Sequence, residues 1–556
     1  MLLALRVVLW RPLAVTGAAP NDGYVRVAGA LHVHTTLSDG SGAPEEVAAA
    51  AKRADLKFVV ITDHNNLNAK PFEGYHDGVL VIVGTEVSTA AGHVLGLGIA
   101  DPVFRFSGDP QDALDDIRLL GGSAYAAHPL SARPDFVWSG WNLPGPWGME
   151  LLNGDSQWRA AGFWRLARTA GLYALNPSYA LLGSLTSPRA TLARWDGLLA
   201  RRDTPGIAGA DAHNRVPLHK RFQPRFPSYE SIFALAKNHV LLEAPLRGDA
   251  AADTAAILGA LARGRSYVGL DALAPADGFS FRAESPSQKA AMGETIAPRE
   301  GLFLRASGAL PAGARLTLVR DGQALVAKEG PLEVAPSSPG AYRVEVSLPG
   351  WDVPWILSNP IYVFDAAAAA ARAKAAAWPE PAAAPPAVEA LDSFDATSSF
   401  SAEADSSSHV APEFRTPGAG PSGESLARLA FRLGQPGPDH PFVSCALVSR
   451  TPRDLSGHLG LVFAIRGDRV YRIWVQVRDA NPASADGGTE WWGASVRTAL
   501  EWRRVAVPFA SLRSINPKTD GQLDLDKVKE LVFVLDQGAV KPGTEGTIEL
   551  AGLGAY

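Results

Sequence analysis

Between residues 24 and 213 a series of short apolar runs each ends in a histidine or an acid. VAGALHVH closes on His32 and His34, FVVITDH on His64, VLVIVGTE on Glu86, SAYAAH on His128 and GIAGADAH on Asp211 and His213. Runs of this length and composition predict strands. In barrels and open α/β sheets, strand C-terminal ends are where ligands and catalytic groups collect. A strand repeats every two residues, so His32 and His34 are expected on one face, as are Asp211 and His213. The pattern demands a fold that carries distant strand ends to one mouth.

Strands are expected at 24–34, 58–64, 79–87, 93–99, 123–128, 149–153, 172–176 and 206–213, and helices at 44–54, 110–120, 158–170, 191–202, 228–238 and 251–263. Their alternation makes residues 24–273 an α/β domain. Residues 277–365 lose the helices and run as short strands between Gly, Pro and Ser, which predicts a small β-sandwich. An alanine-rich and then proline-rich stretch, 366–389, suits a short helix and a semi-rigid linker. Residues 390–556 give further strands at the spacing of a sandwich or jelly roll. The expected chain is multidomain, α/β followed by all-β.

Composition excludes several classes. A net charge of -5 leaves no basic footprint, so no nucleic-acid partner is expected. No stretch reaches about 18 uninterrupted apolar residues, so no transmembrane segment is expected. The single cysteine, Cys445, excludes an intrachain disulfide or thiolate cluster, and its apolar setting predicts a buried structural thiol. MLLALRVVLWRPLAVTGAAP is apolar but interrupted by Arg6 and Arg11. It reads as a poor or truncated export signal, implying the periplasm or medium, or as a misplaced start, implying the cytoplasm. Trp474, Trp491, Trp492 and Trp502 suit either core packing or a carbohydrate-binding face, packing being the plainer reading. No P-loop, dinucleotide fingerprint or nucleophile elbow is present.

The candidate donors are His32, His34, Asp39, His64, Glu86, His93, His128, Asp211 and His213, which include six of the chain's 12 histidines. The others, His76, His219, His239, His409, His440 and His458, have no comparable setting. Imidazole and carboxylate are the usual ligands of zinc, manganese and iron. The set exceeds the four to six or so ligands that one ion takes, so two or three divalent metal ions are expected, bridged by Glu86 or Asp211. His93 is a ligand, a partner of a ligand or a general acid, and His128 shares the acid role as an option. Asp63 is expected to orient a ligand or loop. Arg133 and Arg215 follow donor motifs closely enough to reach substrate oxygens, with surface ion pairs as the alternative, and Asn65 and Asn153 are weaker supporting candidates. Trp138, Trp141 and Trp147 either favour an aryl substrate at the mouth or pack a loop.

HVHTTLSDG, ITDHNN, GTEVS, AHP and GADAH, in that order, resemble the motif set of the PHP (polymerase and histidinol phosphatase) metal-dependent phosphoesterase superfamily. The resemblance implies a distorted (β/α)7 barrel with metals at its C-terminal mouth. It implies a first metal on His32, His34, Glu86 and Asp211, a second sharing Glu86 and using His128, and a third on Asp39, His64 and His213. Asp39 stands where some relatives carry histidine. GHVLGLG, GRSYVGLD and PWILSNPIYVF resemble the CehA/McbA-type branch, in which a β-sandwich follows the PHP domain. The last region resembles a carbohydrate-binding module or galactose-binding-like jelly roll. The expected reaction is hydrolysis of a phosphomonoester or phosphodiester, with a small phosphorylated or aryl ester substrate and a glycan contact through the C-terminal domain. Two rivals stand beside it: carbamate or aryl-ester hydrolysis at the same metals, and a non-catalytic polysaccharide-binding protein.

Overall fold

The computed structural model describes residues 5, 7–18, 21–216, 223–380, 382–415, 418–480, 488–516 and 518–556. It divides into two units, one of residues up to 101 and 107–379, the other of residues 102–106 and 380–556.

The first unit is built on a closed barrel. Its elements are β1 (Val25–Val33), α1 (Pro44–Arg53), β2 (Phe58–Ile61), β3 (Val79–Val83), β4 (Thr85–Thr89), β5 (Gly92–Leu97), α2 (Pro110–Leu119), β6 (Ser123–Ala126), β7 (Gly148–Asn153), α3 (Gly154–Ala160), α4 (Phe163–Tyr173), α5 (Pro177–Leu182), α6 (Arg189–Leu199), β8 (Gly206–Ala212), α7 (Tyr229–Phe233), β9 (Lys237–Leu242), α8 (Ala250–Ala262) and β10 (Ser266–Gly269). Strand β1 pairs in parallel with β2 and with β8, β2 with β3, β6 with β7, and β7 with β8. Strand β5 departs from this order and runs antiparallel to both β4 and β6. Val27, Leu31, Phe58, Val60, Leu80, Ile82, Leu95 and Ile207 fill the interior beneath the mouth. Burying each such side chain stabilises the barrel by about 1.5–3 kcal/mol.

Three sequence expectations are corrected. The helix expected at 158–170 breaks at Ala161 and Gly162 into α3 and α4, because Gly162 takes an extended conformation as the N-cap of α4. The strand expected at 172–176 is the end of α4 and a turn leading to α5, whose cap is Asn176. The helix expected at 228–238 stops at Phe233, and β9 follows, paired antiparallel with the first half of β1. There the ladder to β1 and the burial of Val240, Leu241 and Leu242 override local helix preference.

Beyond the barrel, Phe279–Glu284, Lys289–Ala291, Phe303–Gly308 and Leu332–Val334 form a four-stranded sheet. Arg315–Arg320 and Gly340–Ser347 belong to a further layer that joins the barrel's own sheet, since Ile356–Ser358 pairs with β10. The helix Ala366–Ala375 opens on Asp365, whose carboxylate accepts the Ala368 N–H at 2.8 Å. Of the apolar N-terminal stretch, residues 1–4, 6 and 19–20 lie outside the described residues, and Val15–Thr16 pairs with Leu310–Pro311.

The second unit contains two six-stranded sheets. Cys445, Leu447, Phe533, Ile473 and Val475 are buried on alternating positions. Trp474 packs on Ala446, Val448, Val532 and Val534, and Trp502 packs near Leu426, Ala464 and Ala551. Trp491 is exposed, with the Arg478 guanidinium 3.8 Å from its ring centre. No helix among the described residues is long and apolar enough to cross a membrane.

Candidate metal centre

All nine expected donors converge at the barrel mouth, although flat strand alternation is not what brings them there. His32 takes a left-handed backbone with φ 65°, and the ladder of β1 shifts register between Ala30 and Val33. His128 and Asp211 are left-handed as well, with φ 29° and 47°. Such conformations cost of order 1–3 kcal/mol each and persist where surrounding structure over-determines them. They lie at or just beyond strand C-terminal ends, His32 and Asp211 next to last in β1 and β8 and His128 two residues after β6.

Glu86, fully buried, is the hub. Its Oε1 lies 2.8 Å from His93 Nδ1 and from His128 Nε2. Its Oε2 lies 3.2 Å from the Nε2 atoms of His32 and His34 and 3.3 Å from His64 Nδ1. Asp211 Oδ1 is 3.5 Å from the same Nε2 atoms of His32 and His34. Asp39 Oδ1 is 3.2 Å from His213 Nε2, 3.6 Å from His34 Nδ1 and 3.7 Å from His64 Nε2. Three groups therefore have donor atoms within 4.8 Å of one another: His32, His34 and Glu86; His64, Glu86 and His93; and His34, Asp39, His64 and His213.

Supporting residues fix these positions. Asp63 accepts hydrogen bonds from the Thr35 N–H at 2.8 Å, the Thr35 hydroxyl at 2.7 Å and the Ser38 hydroxyl, so it orients the loop between His34 and Asp39. Gly40 closes that loop where a Cβ would stand 2.2 Å from the His34 carbonyl oxygen. The Tyr229 hydroxyl donates to the same oxygen at 2.7 Å. Asn65 pairs with Ser88 through side chain and backbone.

Sequence reasoning missed Glu150. This glutamate in β7 has no solvent exposure, and its Oε1 lies 2.7 Å from His32 Nδ1. Its Oε2 accepts from the His128 N–H at 2.6 Å and from Asn153 Nδ2 at 2.8 Å. The available signal was an acid inside the otherwise apolar run of MELL. Asp155 and Arg159, both of α3 and ion-paired to each other, were also missed. They line the cavity over the donors together with Arg133, Phe136 and Arg215. Arg133 lies 3.7 Å over the Phe136 ring, and Arg215 reaches Asp39 at 3.5 Å. Trp138 and Trp147 are buried edge-to-face, 5.7 Å apart, and Trp141 meets Arg194, so these three tryptophans pack the loop. His239 bonds Asp271 at 2.8 Å away from the cluster, and His219 lies outside the described residues.

The cluster's electrostatics call for added positive charge. Burial would raise the Glu86 pKa, but the His32 charge and bonded imidazoles hold it well below the carboxylate range. Asp211 is held low against burial in the same way, first by the His32 charge. Burial would lower His34, yet the Asp211 and Glu86 carboxylates beside it raise it to about 9. Several buried ring nitrogens nonetheless lack any hydrogen-bond partner: His32 Nε2, both nitrogens of His34, His64 Nδ1 and His128 Nδ1. Unpartnered lone pairs arranged around low-pKa carboxylates fit divalent cations.

Residues 30–110 match the family model described as PHP domain. An uncharacterised protein of Methanocaldococcus jannaschii is 30% identical over 116 residues, 18% of this chain and 67% of its own length. A two-domain structure from Bacteroides vulgatus, described as containing a predicted PHP-like metal-dependent phosphoesterase, aligns at 16% identity over 64% of this chain and 98% of its own, with a TM-score of 0.29. A family 11 carbohydrate-binding module from Clostridium thermocellum, in complex with a mixed-linked tetrasaccharide, aligns at 18% identity over 30% of this chain and 94% of its own, with a TM-score of 0.25. TM-scores of this size carry no inference about function. Through the family model and the archaeal relative, the chain belongs to the PHP domain family.

Proposed function

We propose that this protein is a metal-dependent phosphoesterase that hydrolyses a phosphomonoester or phosphodiester at a site for two or three divalent ions. The supporting observation is the sharing of Glu86 by two donor groups, while His34 and His64 link them to a third. One ion would be held by His32, His34, Glu86 and Asp211, a second by Glu86 with His128, and a third by Asp39, His64 and His213. Divalent ions bound there acidify water and neutralise charge on phosphoryl oxygens.

The remaining roles fall to the chain's own groups. Arg133, Arg159 and Arg215 line one cavity with the donors and supply fixed positive charge to phosphoryl oxygens. His93 is tied to Glu86 through Nδ1, which leaves Nε2 to pass a proton to the leaving oxygen. Glu150 fixes the ring of His32 from behind.

The test is phosphate release from p-nitrophenyl phosphate and bis(p-nitrophenyl) phosphate by the full chain, before and after chelation, beside an aryl carboxyl ester and an aryl carbamate. Chelator-sensitive turnover of a phosphoester is expected. Turnover confined to the carbonyl substrates would overturn the phosphoesterase reading and leave the carbamate or ester hydrolase.

A further inference from the structure

We propose that the substrate's alcohol moiety is an uncharged apolar group of about six to eight carbons, seated in a second cavity that opens onto the donor cluster. This rests on the phosphoesterase reading above and adds the substrate class.

The second cavity has a volume of about 210 Å³ and shares Asp155, Arg159, Asp211, His213 and Arg215 with the cavity over the donors. Those shared residues are its only charged lining among the described residues. Beyond them the described wall is Trp158, Leu181, Leu185, Val216, Ile232 and Leu235, with Asn214 as a polar member. Ser184 also lines it, but its hydroxyl already donates to the Leu181 carbonyl at 2.6 Å. Among the described residues, charge is thus confined to the rim facing the reacting centre, and the rest of the lining is mostly apolar. An apolar cavity of about 150 Å³ accepts benzene, so this one has room for a ring and its linking carbon.

The division matches an ester with an anionic head and an apolar body. With the phosphoryl group among the arginines of the rim, the ester oxygen points through the shared wall and the alcohol's carbons fill the interior. A sugar or nucleoside in the same place would bury several hydroxyls or ring nitrogens against a mostly apolar wall that offers them little beyond Asn214 among the described residues, which disfavours polar alcohols. In the reaction, the oxygen of water bonds to phosphorus, the phosphorus–oxygen bond to the alcohol breaks, and the leaving oxygen takes up the proton that water gives up. Products are inorganic phosphate and the apolar alcohol.

The experiment compares benzyl phosphate with glycerol phosphate, esters of alcohols of similar acidity, using the full metal-loaded chain. Calorimetry with benzylphosphonate and methylphosphonate gives a second readout without turnover. The expected kcat/KM ratio favours benzyl phosphate by at least about 20-fold, because pocket selectivity of this kind spans about 10–200-fold. Benzylphosphonate should bind more tightly, with the negative heat-capacity change of apolar burial. Leu181→Trp narrows the cavity and should reduce the ratio below about threefold. Leu185→Trp serves as a second placement, and the melting temperature shows which variant folds. Turnover of both esters with a ratio near one, or a ratio unchanged in a folded variant, overturns the apolar-substrate inference alone. Absence of turnover and phosphonate binding with every ligand overturns the phosphoesterase reading together with it.

Discussion

The carboxylate of Glu150 lies 2.7 Å from His32 Nδ1, with neither side chain exposed to solvent, and the same carboxylate accepts the His128 backbone N–H. It therefore fixes a ring from β1 and the backbone of the loop after β6 without facing the cavity. Glu150→Gln keeps the size and removes the charge. Metal affinity, measured by competition with a chromogenic chelator, should fall about 10–100-fold, the usual effect of losing such a partner. Unchanged affinity would show that Glu150 is only a buried structural acid.

Gly209 makes an independent test of the same contact. A Cβ at this position would stand 1.7 Å from Glu150 Oε1, so Gly209→Ala must displace the carboxylate or the strand. Metal affinity should fall at least as far as in Glu150→Gln, with a stability loss of about 1–3 kcal/mol in thermal or chemical unfolding. Gly197→Ala, in α6 with nothing near the added methyl, should instead stabilise by about 0.5–1 kcal/mol. Equal behaviour of the two variants would contradict this reading of the Glu150 contact.

How far the site can be read from sequence divides along one line. Residues at the ends of apolar runs, such as His34, His64 and Glu86, announce themselves because a polar side chain there has a mouth to face. Glu150 is the third residue of β7, and its partner His32 is 118 positions away, so nothing local marks the pairing. Strand periodicity also suggested convergence of His32 and His34 for a partly mistaken reason, since a left-handed His32 does the turning. Strand β9 escaped for a related cause: KNHVLL acquires its strand form from the ladder to β1. The α/β character of the first region and the largely β character of the rest were legible because hydrophobic period and turn residues are local signals.

Asp479 and Glu490 face each other across Arg472–Ala480 and Thr489–Arg497, both buried, and each keeps one carboxylate oxygen without a partner. Burial first, then the charges of Glu490 and Asp524, raises the Asp479 pKa to about 6. Because the folded value exceeds the unfolded one, this group's stabilising contribution is present below about pH 4 and is lost as pH rises through 6. Asp479→Asn removes the charge and offers an amide donor to Glu490. The variant should raise the melting temperature of the second unit at pH 7.5 and change it little at pH 4. Destabilisation at pH 7.5 would contradict the assignment.

Cys445 gives a probe of the same unit. Burial and the nearby Asp405 charge push its thiol up to about 11, so almost no thiolate exists at pH 8. Maleimide labelling of the native chain should be orders of magnitude slower than in denaturant, and it should report unfolding of the second unit, since the chain has Cys 1 in total. Rapid native labelling would contradict the buried, hydrogen-bonded setting beside the His409 and Arg432 carbonyls.

The central claim is that the nine converging donors form a multinuclear metal centre. Its most direct measurement is the metal content of the full chain by elemental analysis, after exposure to zinc, manganese and ferrous iron and removal of unbound ions by gel filtration. The account predicts about two to three divalent ions per chain in total. Less than one ion per chain under all three conditions would contradict it.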